Sequence, residues 1–116
     1  MTKIEFFQNG EEKILPMITL TKSKNGKTGT ATFFFLKPTV FEKISLIHFP
    51  LQEMSLVWEK KRIKTKDISI FIYKGEPLLL KSTFLFKNAF EWFDFFQFMK
   101  MYSQKTGLVF EEKKIP

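Results

Sequence analysis

The clearest pattern along the chain is the alternation of aromatic and charged positions from Asn88 to Phe110, NAFEWFDFFQFMKMYSQKTGLVF. At 100° per residue, Trp92, Phe95, Phe96, Met99 and Tyr102 share one face and Glu91, Asp94, Gln97, Lys100 and Gln104 the other, as in an amphipathic helix. Both ends are marked. Asn88 can accept from the free amides of the first turn, and Glu91, three residues on, can close a capping box. Gly107 suits the left-handed residue that ends a helix, while Lys100 and Lys105 sit where the helix dipole favours a cation. The pattern predicts a helix from Ala89 to Thr106 that must dock its stripe on another element. Phe90, Phe93, Phe98 and Met101 fall at the edges of the stripe or among polar positions. They either lie under loops and on the ordinary surface or help form a docking patch, for which Phe90, Phe98 and Met101 are the candidates.

Upstream the period changes to two. Lys3 to Phe7 reads as a strand, followed by a turn at Asn9 and Gly10. Met17 to Lys22 alternates apolar with polar residues, and Thr30 to Leu36 is rich in threonine and aromatics and stops before Pro38. Between them Ser23 to Gly29 is polar, with Asn25 and Gly26 suited to positive φ, so the two strands read as a long hairpin. Met54 to Glu59, Ile63 to Tyr73 and Pro77 to Phe86 read as three further strands, connected near Lys60, Lys61 and Arg62 and at Lys74 and Gly75. Thr39 to Ile47 fits a short helix or an edge segment equally well. Strand after strand followed by one long helix predicts an α+β fold: a twisted antiparallel sheet of about five strands with the C-terminal helix packed across one face. The 116 residues suit a single domain, 1–116, able to bury roughly two-thirds of its unfolded surface.

Composition narrows the chemistry. There are no cysteines, so disulfides and thiolate metal sites are excluded. No run of about 18 apolar residues occurs and the amino terminus lacks the pattern of a secretory signal, which implies a soluble protein or one held at a membrane surface through a partner. The formal charge is +7, yet of 19 basic residues 18 are Lys and only Arg62 is Arg, while Phe occurs 16 times and Ala only at Ala31 and Ala89. Lys and Phe have A/T-rich codons, so part of the charge records an A/T-rich, organelle-like genome rather than a polyanionic partner. A protein made inside its organelle needs no transit peptide, and none is evident.

Catalytic constellations are thin. His48 is the only histidine, which excludes a His-based metal site and leaves one possible base for a triad; beside Phe49 and Pro50 it reads as structural. Asn25-Gly26-Lys27-Thr28 carries the Gly-Lys-Thr ending of a phosphate loop, but Thr21 stands where the first glycine must be. Glu11 with Glu12 and Glu111 with Glu112 are sequence neighbours that point apart, so they read as solvated charges rather than an acid and base pair. Lys60, Lys61, Arg62, Lys64 and Lys66 put five cations into seven residues. They either protect a strand edge or form a basic knob for acidic loops or phosphates. The polar loop, through Ser23, Lys24, Lys27, Thr28 and Thr30, is the other candidate contact. A small RNA-binding module is the alternative function; a hydrolase lacks its polar cluster.

Thr28-Gly29-Thr30-Ala31-Thr32-Phe33 with Phe35 and Pro38, and later Trp92, Phe95, Phe98, Met99, Tyr102, Gly107, Leu108 and Phe110, resemble the photosystem II assembly-factor family called Psb28. The likeness runs from about Ile14 to Phe110. Phe93 and Phe96 depart from it, and the hairpin around Lys60 to Arg62 is shorter and more basic. The resemblance implies a non-enzymatic accessory protein, peripheral on the stromal side of the plastid thylakoid membrane and plastid-encoded. It implies binding to an assembly or repair intermediate through the tail of the inner antenna subunit and the stromal loops of the reaction-centre subunits, with no cofactor, pigment or metal of its own. A sheet built from hairpins leaves edges, and such a tail can pair with one as an added strand.

Overall fold

A computed structural model describes residues 1–7, 10–42, 51–109 and 111–114. The turn at Asn9, the stretch from 43 to 47, His48 and Phe110 lie outside the described residues. Within them, nine strands and one long helix follow in order: β1 (Thr2–Phe7), β2 (Gly10–Glu11), β3 (Met17–Lys22), β4 (Gly29–Leu36), β5 (Met54–Trp58), β6 (Lys61–Thr65), β7 (Ile68–Tyr73), β8 (Glu76–Phe86), α1 (Ala89–Thr106) and β9 (Glu111–Lys114). The class is α+β, as the sequence predicts, with the strands divided between two sheets. One has the order β2-β1-β5-β6 and the other β7-β8-β4-β3-β9, antiparallel except that β9 runs parallel to β3.

The expected single strand from Ile63 to Tyr73 is two strands in different sheets. The chain breaks at Lys66 and Asp67: the Asp67 amide donates to Thr65 Oγ1 (3.1 Å) and the Ile68 amide to the Lys66 carbonyl (3.0 Å). Thr65 Oγ1 donates to the Thr83 carbonyl at 2.6 Å and the Thr83 amide to the Asp67 carbonyl at 3.0 Å, so the crossing residues are already bound to β8 of the second sheet. At the next turn Lys74 and Gly75 both take positive φ, 51° and 81°. That is the requirement of a tight two-residue hairpin matched to the strand twist.

Alternate residues of both sheets point into one apolar cluster. Ile4 and Phe6 of β1 and Leu56 and Trp58 of β5 face Ile18, Leu20, Phe33, Phe35, Leu80, Phe84 and Phe86 of the other sheet. The helix closes this cluster with Trp92, Phe95, Phe98, Met99 and Tyr102. Phe95 meets Phe33 at 6.2 Å between ring centroids, Trp92 meets Phe86 at 4.7 Å, and Phe98 meets Trp58 edge-on at 5.9 Å. Each such burial is worth about 1.5–3 kcal/mol. The buried arc is rotated from the expected stripe. Phe98 lies about 40° beyond Tyr102 and Phe96 about 40° beyond Trp92, and Phe98 is the one taken in. The reason is the β2-β1-β5-β6 sheet: Trp58 of β5 stands on the Phe98 side, while Phe96 is left half-buried, stacked on Trp92 at 5.3 Å.

Both helix ends are built much as the residues indicate. Asn88 Oδ1 accepts from the Glu91 amide (3.0 Å), and the Gly107 amide donates to the Ser103 carbonyl (2.7 Å) with φ 77°. Glu91 reaches back one residue further than a capping box requires, its Oε1 accepting from the Lys87 amide at 2.7 Å. Lys105 Nζ donates to the Thr2 carbonyl (2.6 Å) and Glu11 Oε2 (3.1 Å), tying the last turn to β1 and β2.

Glu12 corrects the expectation of a solvated pair. It is buried, and its carboxylate accepts from the amides of Ile14, Thr39 and Val40, each at 2.9 Å. It thereby staples the loop after β2 to the segment after β4.

Candidate docking surfaces

The sequence-predicted contact residues fall on the helix, at the tip of the β3–β4 hairpin and along the β5–β6 hairpin. Within the tip, Ser23 Oγ lies 2.6 Å from Asn25 Oδ1, which also accepts from the Lys27 amide at 2.9 Å; Thr28 N donates to Ser23 Oγ at 3.3 Å. Lys24, Lys27 and Thr28 are exposed, and Thr30 is half-buried on the sheet face away from the core. The tip adjoins the helix start, because Trp92 lies over the Gly29 backbone and Lys22 Nζ sits 5.8 Å from the Trp92 ring centre. Phe90 is exposed nearby on the helix and Met101 is half-buried further along it. Phe98, expected to touch a partner, is fully buried and out of reach.

Three of the five cations have partners within the chain. Arg62 Nη1 pairs with Glu5 Oε1 at 2.9 Å, Lys64 lies 3.8 Å from Glu53, and Lys61 Nζ donates to Gln97 Oε1 at 3.0 Å. Lys64 lines a cleft of about 250 Å³ with Ile63, Leu85, Phe86, Glu91 and Asp94, and Met101 lines one of about 320 Å³ with Trp58, Gln97 and Lys100.

Two carboxylates are held by these and neighbouring lysines. Burial pushes the Glu5 carboxyl up, but Lys3 and Arg62 outweigh it and leave it below its ordinary 4.5. Glu11 behaves alike: burial raises it, and Lys105 and Lys13 bring it below 4.5. A group whose folded pKa is depressed stabilises fully above its unfolded pKa and loses that contribution as pH falls through the folded one. Urea midpoints should therefore fall as pH drops below 4.5, and Glu5→Gln should lower the midpoint at pH 7 while flattening that acid limb. An unchanged acid limb in Glu5→Gln would remove Glu5 from this role.

The sheet ends differ in how they are protected. β2 has only two residues, and β6 carries Lys61, Arg62 and Lys64, the charged residues that discourage pairing. The β3 edge is taken by β9, with Thr19 opposite Glu111 and Lys22 opposite Lys114. β7 (ISIFIY) ends the second sheet, has no strand on its outer side among the described residues, and exposes Ser69 to Tyr73. A long apolar edge without charge or proline is a ready acceptor for another strand. The register continues this surface across the sheet face that points away from the core. Phe71, Leu79 and Leu36 form one cross-strand row and Lys81, Phe34 and Met17 the next, followed by Thr83, Thr32 and Thr19.

The composition of β7 was visible in the sequence, but its exposure was not. An apolar run such as Ile70 to Tyr73, without alternation, reads as a strand buried on both faces, whereas here the hairpin projects beyond the end of β4.

Fold and surface together define an α+β domain that offers a partner an open sheet edge and an aromatic, lysine-rimmed exterior. Residues 4–110 match the family model described as Psb28 protein, and the chain belongs to that family. Proteins named photosystem II reaction center Psb28 protein are 36% identical in Phaeodactylum tricornutum (95% of this chain, 96% of the relative) and 34% identical in Guillardia theta (95% of each). The one from Prochlorococcus marinus is 33% identical over 97% of this chain and 94% of its own.

Proposed function

We propose that the protein is a non-catalytic photosystem II accessory factor. On this reading it binds an assembly or repair intermediate that contains the inner antenna subunit, on the stromal side of the thylakoid membrane, and assists biogenesis and protection of the complex. The family match over residues 4–110 carries the proposal. The helix α1 is not long and apolar enough to cross a membrane, which fits a peripheral position.

The open β7 edge supplies the mechanism. The antenna tail adds to it as an extra strand, with backbone bonds giving affinity and alternate side chains giving selectivity. The β3–β4 tip, Phe90 and the exposed lysines around Lys60 to Lys64 are then left for neighbouring loops. Proline removes one amide donor from an edge, and β7 amides point alternately toward β8 and outward. Proline at Ile70 or at Phe71 should therefore act differently. One should weaken recovery of the intermediate about tenfold or more, the loss of an outward hydrogen bond plus ring clash, with the fold intact by circular dichroism. The other should lower stability by breaking the β7–β8 ladder. If the folded variants all recover the intermediate as the native chain does, the tail does not pair with β7.

A further inference from the structure

We propose that the end of the molecule built by the β7–β8 turn, the loop before β3 and the end of β4 contacts lipid directly, seating its apolar side chains among the headgroups of an anionic membrane surface. This goes beyond binding through a protein complex and does not depend on it.

The distribution of exposed apolar residues is the first argument. Of 13 large hydrophobic side chains exposed among the described residues, eight lie at this end: Ile70 to Tyr73 consecutively, with Leu36, Met17, Leu15 and Ile14. The register places Phe71 and Leu36 in one outward row through Leu79, with Met17 beside them opposite Phe34, while Ile70 stands opposite the core residue Leu80 and Ile14 and Leu15 lead into Met17. Isolated exposed apolar residues are ordinary, whereas a contiguous group marks a contact site.

The second argument is that the group is held in place. Lys74 and Gly75 form a tight turn with φ 51° and 81°, and the buried Glu12 carboxylate fixes the loop bearing Ile14 and Leu15 to Thr39 and Val40. A preorganised surface loses little conformational entropy when it docks.

Shape and charge select the occupant. The β7–β8 pairing continues past Leu79, where β4 ends at Leu36, so this end presents a projecting hairpin tip. Its apex is aliphatic and aromatic, and its rim carries Tyr73 and the exposed Lys37 and Lys74, with Lys13 nearby in the chain paired to Glu11 at 3.4 Å. Lys74 Nζ lies over the Tyr73 ring, 5.4 Å from its centre. Tyrosine and lysine around an apolar apex are the residues that settle at a bilayer interface, and lysines complement anionic headgroups. Glu76 is an exposed acid on the same turn, so the rim is cationic by excess rather than uniformly.

The test is flotation of the full chain with vesicles of phosphatidylcholine alone or with roughly a third phosphatidylglycerol. The expected result is flotation with the anionic vesicles that weakens with salt. Phe71→Ser with Ile72→Ser should reduce partition about tenfold or more, while Phe90→Ser with Phe93→Ser at the helix should leave it unchanged. Lys37→Glu with Lys74→Glu, which leaves the apolar surface and core alone, should also reduce it and keeps the test decisive if the first pair folds poorly. No flotation on either vesicle, or equal loss from the Phe90 and Phe93 pair, overturns the proposal. Loss of photosystem recovery without any vesicle binding would make this end a protein contact, overturning lipid contact while leaving the proposed function standing.

Discussion

Gly29→Ala is expected to cost about 3 kcal/mol or more, the upper part of what overpacking exacts from a well-packed core. A methyl group on Gly29 would overlap both the Trp92 ring and the Thr21 carbonyl. Neither can yield easily. The carbonyl belongs to the β3–β4 ladder, in which Thr21 stands opposite Thr30, and Trp92 is buried against Phe86 and Phe96. Against a typical total stability of about 5–15 kcal/mol, the loss should be obvious in urea denaturation. In a Trp92→Ala background the same change should remain costly, because the carbonyl overlap persists. A Gly29→Ala midpoint within error of the native chain would show that the helix does not lie over this glycine.

Phe98→Ala should be comparably severe, about 3–5 kcal/mol, the usual cost of deleting a buried phenyl ring. Phe98 is fully buried, edge-on to Trp58 and stacked on Tyr102 at 5.2 Å between ring centres. A residue that only touched a partner would show the opposite behaviour, weak binding with ordinary stability. Phe90→Ala provides the contrast: at 84% exposure it should change stability by less than about 0.5 kcal/mol. Thermal unfolding of the two variants side by side separates the core ring from the surface ring. Similar midpoints for both would place Phe98 outside the core.

What could be read from the residues follows from how local the cause is. The helix bounds were legible because Asn88, Glu91 and Gly107 act within a turn of themselves. The β3–β4 hairpin was legible because alternation and a polar loop specify it jointly. The break at Lys66 and Asp67 was not, since a strand that changes sheets keeps its pattern while its partner changes from β5 to β8. That break conceals the division into two sheets, and with it the place of Trp58 on β5, which is why Phe98 is buried and Phe96 is not. Glu12 looked like a solvated acid because its three amide donors come from two segments, one of them 27 and 28 residues away. The basic cluster was plain in the sequence, yet the pairing of Arg62 with Glu5 and of Lys64 with Glu53 depends on how the strands are arranged. The open edge at β7 was least legible of all, because exposure of an apolar strand is a property of what fails to cover it.

Recovery of partners from solubilised thylakoids with the tagged full chain, with and without nuclease, tests the proposed function most directly. Photosystem II core subunits, including the inner antenna subunit, should be recovered equally in both conditions. Recovery of RNA without photosystem subunits, lost on nuclease treatment, would contradict it and favour a basic RNA-binding module instead.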